Sequence, residues 1–136
     1  MERGVKTFAE DIKRGKGRSA KIKLERIAKR FDRKDEFQHG YLTALEGMVS
    51  AVESGDDLTL LKQIANSPKP REKIEQYLAE MQTRVSQDFR PREEIGYNTA
   101  WVEVLQAFIN TPDKQKQEVE QPVERTAEQD TEQTTL

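Results

Sequence analysis

Gly40-Tyr41-Leu42-Thr43-Ala44-Leu45 is matched further along the chain by Gly96-Tyr97-Asn98-Thr99-Ala100-Trp101, so that Gly-Tyr-x-Thr-Ala recurs after 56 residues (96 minus 40). Reading on from each Tyr gives Tyr41, Ala44, Leu45, Met48, Val49, Val52 and Tyr97, Ala100, Trp101, Val104, Leu105, Phe108. Both sets follow the i, i+3, i+4, i+7, i+8, i+11 spacing of an amphipathic helix with a wide apolar stripe. In the first copy Gly40, Ala44, Gly47 and Ala51 add a stripe of small residues, which predicts close approach by a neighbouring helix. Two glycines inside a helix each cost about 1 kcal/mol relative to Ala and need a packing reason.

Outward from these two stretches the chain repeats its plan. Ala20, Leu24, Ile27, Ala28 and Phe31 share one sector of a helix expected from a cap at Ser19 to about Lys34. Ile74, Tyr77, Leu78, Met81 and Val85 form the equivalent stripe before the second copy, with Phe89 standing near its turn as Phe31 does in the first. Ser54-Gly55-Asp56-Asp57 and Asn66-Ser67-Pro68-Lys69-Pro70 are breaks, with a short linking helix through Leu58, Leu61, Ile64 and Ala65 between them. Each half reads as an αα-hairpin. The expected fold is all-α: a helical bundle of two αα-hairpins, related by an internal repeat, with Trp101 and both signature tyrosines buried between the signature helices.

Three segments follow. Residues 1–18 form a basic N-terminal arm, where Val5, Phe8, Ala9 and Ile12 make a short helix and Gly15-Lys16-Gly17-Arg18 a turn or hinge. Residues 19–112 form the helical bundle domain. Residues 113–136 contain only Val119, Val123, Ala127 and Leu136 as apolar residues, too few to offset ordering entropy, and are expected to be a disordered acidic tail. Its Thr134-Thr135-Leu136 ending loosely matches the carboxy-terminal pattern that PDZ grooves capture.

The net charge of −2 conceals a gradient. Residues 1–34 carry thirteen Lys/Arg against five Asp/Glu, residues 35–112 seven against thirteen, and residues 113–136 three against seven. A hydrophobic fraction of 34% against 35% charged, with a mean hydropathy of −0.92, indicates a wet surface and no bilayer span, and cytoplasmic location is expected. Zero Cys removes disulfides, thiolate metal sites and cysteine nucleophiles together.

Catalysis finds little support. His39 is the one histidine, and no Gly-x-Ser-x-Gly elbow exists. Glu36-x-x-His39 has the spacing of a di-iron bundle motif, but such sites need it on two helices, and the repeat places Arg92 and Ile95 at the matching positions. Phasing puts His39 on the surface beside Thr43 and Glu46. Gly15-Lys16-Gly17-Arg18 lacks the spacing of a phosphate-binding loop and follows no strand. The carboxylate pairs Asp56/Asp57 and Glu93/Glu94 suit helix starts. No catalytic residue, metal ligand, cofactor or small-molecule substrate is expected.

The expectation is therefore a non-enzymatic binding protein. Lys13, Arg14, Lys16, Arg18, Lys21, Arg26, Lys29, Arg30 and Arg33 would lie against the phosphates of nucleic acid, RNA or a ribosomal surface, gaining affinity by counterion release. The alternative is a protein-interaction adaptor with no nucleic-acid role, whose basic helix meets an acidic protein partner. Ile22, set among the cations, is an exposed apolar residue of no consequence in the first reading and a contact in the second. No aromatic interleaves these cations except Phe31, which belongs to the core stripe.

Overall fold

A computed structural model describes residues 3–56 and 59–111. Six helices follow one another: α1 (Val5–Lys13), α2 (Gly17–Ala28), α3 (Glu36–Ser54), α4 (Leu60–Asn66), α5 (Pro70–Val85) and α6 (Arg92–Asn110). Among the described residues there is no strand. The tail expected from 113 onward lies outside them, as does Leu58 of the linking helix.

α3 and α6, which carry the Gly-Tyr-x-Thr-Ala stretches, form the central and most extensive helix pair. A Cβ on Gly40 would sit 1.9 Å from the Glu93 carbonyl oxygen, and one on Gly96 would sit 2.0 Å from that of Phe37. Each glycine thus seats the carbonyl found three residues before the other glycine. The two seats are 56 residues apart in both members, so the crossing is reciprocal. The C-terminal ends of the same helices, Val52 and Phe108 among them, face one shared cavity, which makes the pair parallel. Small residues at i and i+4 (Gly40 and Ala44, Gly96 and Ala100) let backbones meet where ordinary side chains would hold them apart. Below the crossing Leu45, Met48, Trp101, Val104, Leu105 and Phe108 are buried.

Gly47 departs from the expected small stripe: it is exposed, and a Cβ there would meet nothing within 4 Å. Tyr97 departs from the expected symmetry. Tyr41 is buried, lies 5.3 Å from the Phe31 ring and donates its hydroxyl to Glu103 at 2.6 Å. Tyr97 is 40% exposed and Phe89 79% exposed, because the second half leaves uncovered the aromatic that Phe31 covers in the first.

Capping explains the helix boundaries. Asp35 accepts from the Gln38 N–H at 2.9 Å to start α3, and Gly55, at φ 67°, ends it. Thr59 caps α4, and Pro70 occupies the first turn of α5. α2 stops at Ala28, earlier than the periodicity predicts. The Arg30 and Phe31 N–H groups donate to the Ile27 and Ala28 carbonyls three residues back, and Asp32 accepts from the Lys34 N–H, which together tighten the chain into a turn.

α1 is built into the bundle. Val5, Phe8, Ala9 and Ile12 are buried against α2 and α6. The corner after α1 is a Schellman turn: Gly15 takes φ 74°, its N–H reaches the Ile12 carbonyl at 3.1 Å and the Lys16 N–H reaches the Asp11 carbonyl at 2.8 Å. Of the two expectations for the glycine pair, the structure displays the closed turn.

Candidate polyanion-binding face

The basic front end divides into cations spent inside the fold and cations left on its surface. Lys13 belongs to the first group, since its ammonium donates to the carbonyls of Phe108 at 2.7 Å and Thr111 at 2.8 Å, capping the end of α6. Lys23 pairs with Asp11 at 2.7 Å. Ser19, expected as the α2 cap, donates its hydroxyl to the same carboxylate at 2.6 Å, while the cap position falls to Lys16 with no side-chain cap bond. Burial alone would push the Asp11 carboxyl up, but the bonds from Lys23 and Ser19 and the charges of Lys23 and Lys16 outweigh it and hold its pKa below the ordinary value.

Arg30 and Arg33 fall where α2 has already ended. Arg30 donates to the Arg3 carbonyl, and Arg33 is paired with Glu46 of α3. Neither stands on the helix expected to run to about Lys34, because α2 ends at Ala28.

Arg14, Lys16, Arg18, Lys21, Arg26 and Lys29 are exposed and make no ion pair among the described residues. Arg14 and Lys16 sit on the Schellman corner, Arg18, Lys21 and Arg26 project from the outer side of α2, and Lys29 is its C-cap. Ile22 lies among them at 47% exposure. Glu25, also exposed, shares that side and lowers its net positive charge. The face offers point charges and one apolar contact.

His39 is half-exposed, with Nε2 3.3 Å from the Glu93 carboxylate. Among the described residues no three His, Asp or Glu side chains converge as a metal site. Aromatics do appear beside cations elsewhere: the Arg92 guanidinium lies over Phe37 at 5.2 Å and that of Arg90 over Phe89 at 5.4 Å. Among the described residues no helix is long and apolar enough to cross a membrane. No protein-family model, curated protein or solved structure matches the chain.

Proposed function

We propose that this chain is a non-enzymatic binding protein that holds nucleic acid, RNA or a ribosomal surface, against the outer side of α2, acting in the cytoplasm. The observation that supports this is the division of charge: Arg14, Lys16, Arg18, Lys21, Arg26 and Lys29 stand exposed without ion pairs among the described residues, while neighbouring cations are satisfied internally. Like charges held in register repel one another, and a polyanion relieves that repulsion while releasing its counterions.

Binding of fluorescent single-stranded RNA, followed by anisotropy across a salt series, tests it. At about −0.7 per phosphate, six available cations give a log K against log salt slope of about −4, whereas the nine basic residues of the sequence expectation would give about −6. Lack of binding at micromolar protein and low salt refutes the reading.

The adaptor alternative is favoured by one observation, the 47% exposure of Ile22 amid the cations. A protein partner would cover that side chain, so Ile22→Ala would weaken it by roughly 1–3 kcal/mol, while RNA binding would be indifferent. We propose in addition that α2–α3 and α5–α6 are two copies of a duplicated hairpin. The reciprocal seats of Gly40 and Gly96 support that origin.

A further inference from the structure

The C-terminal ends of α3 and α6, the α1 corner, α4 and the first turns of α5 surround a half-open cavity of about 850 Å³. Its floor contains Ile64, Ile74 and Phe108, which are buried, and its walls Val52, Leu61 and Ile109, which are half-buried. Lys13, Lys62 and Arg71 line it as well, and no carboxylate does among the described residues. Lys13 is engaged with the end of α6, and Arg71 lies 3.4 Å from Glu75. The Lys62 ammonium makes no ion pair among the described residues. An apolar bed lined by cations and, among the described residues, by no carboxylate selects a ligand that combines apolar and acidic groups.

Thr111 is part of the lining, so the chain passes out of the described residues from within this groove. A few residues on, Glu118-Val119-Glu120-Gln121-Pro122-Val123-Glu124 carries three carboxylates, two valines and a proline, with no cation. The seven steps from Thr111 to Glu118 reach at most about 25 Å, enough for the chain to turn back over the groove. Tethering at one wall supplies a millimolar effective concentration, so a weak contact suffices. We propose that residues 118–124 dock in this groove, Val119 and Val123 against the apolar walls and the carboxylates toward Lys62 and Arg71.

Because the chain contains no cysteine, Gln121→Cys in the full-length protein provides a single attachment point for a nitroxide. Docking predicts paramagnetic broadening of the Leu61, Ile64 and Ile109 amides, and its loss when Val119→Asp and Val123→Asp are added. Four results would overturn the proposal, the first three at the labelled chain itself. Those three are no broadening at those amides, broadening centred on Lys21 and Lys29 instead, and broadening that survives the two aspartates. The fourth is broadening that disappears on dilution with unlabelled chain, which would assign the groove to a second copy.

Discussion

Adding a methyl group to the central crossing should separate its two helices, and three glycines permit a controlled test. In Gly40→Ala the new Cβ would stand 1.9 Å from the Glu93 oxygen and 2.8 Å from its carbonyl carbon, both backbone atoms that no rotamer change can move. Ordinary contact begins near 3.4 Å, so α6 must retreat by about 1.5 Å (3.4 minus 1.9) along that line. A gap of 0.5–1 Å already forfeits about a quarter to a half of the dispersion energy between facing atoms, and overpacking of this kind costs about 1–3 kcal/mol or more. Alanine returns about 1 kcal/mol through helix propensity, which the strain exceeds. The expected net loss is about 2 kcal/mol, or roughly 8–16 °C in melting temperature for a domain of this size.

Gly96→Ala meets Phe37 in the same way and should cost about the same. The double variant should lose less than the sum of the two, because the separation forced by one methyl accommodates the other. Gly47→Ala, in the same helix with open space around it, should gain up to about 1 kcal/mol. Urea melts followed by helical circular dichroism read all four. If Gly40→Ala matches Gly47→Ala in sign, the close crossing is refuted.

Other perturbations address the buried ring and the cations that hold α1. Trp101→Ala removes a buried ring from the central pair and should cost about 3–5 kcal/mol in the same melts. Lys13→Met abandons two carbonyls at the end of α6 and should cost about 1.5–3 kcal/mol, while Arg18→Met, with the same charge change on the surface, should stay within about 0.5 kcal/mol. Asp11 has its folded-state pKa lowered, so its contribution is present above the ordinary value of 3.8 and is lost as pH falls below that through the folded value. Asp11→Asn should therefore be less stable at neutral pH and show a shallower fall in stability through that acid range.

The longer helices were legible because their apolar positions keep period 3.6 over three or more turns, and the α3 and α6 pairing because the two Gly-Tyr-x-Thr-Ala stretches carry matching apolar stripes. Gly40 and Gly47 show where that reasoning stops. Both are glycines of one helix, but only the position at the crossing meets a backbone, and a spacing rule cannot locate the crossing along the helix. The fate of Lys13 was illegible for a different reason. Its acceptors lie 95 and 98 residues away, and nothing local distinguishes it from Arg14, which points outward. Arg30 and Arg33 were misplaced because the i, i+3 bonds that end α2 leave no mark on its apolar periodicity. Lys62 and Arg71 had no local signal at all, since the groove they line is assembled from separate segments.

These particulars bear on how function can be separated from stability in this chain. A basic front end invites wholesale charge reversal, but reversing Lys13, Lys23 or Arg33 would break the α6 cap, the Asp11 pair or the tie to Glu46. Loss of binding in such a variant would report unfolding as readily as lost phosphate contacts. Arg18, Lys21, Arg26 and Lys29 carry no such ties, and they sit on a helix whose opposite side is fixed by Ala20, Leu24 and Ile27. Reversal confined to these four should leave melting nearly unchanged, since surface substitutions away from packed or paired groups stay within about 0.5 kcal/mol each. It should also remove most of the salt dependence of RNA binding, since four of six phosphate contacts are gone. Retained affinity with intact folding would show that the exposed face of α2 is only solvated charge.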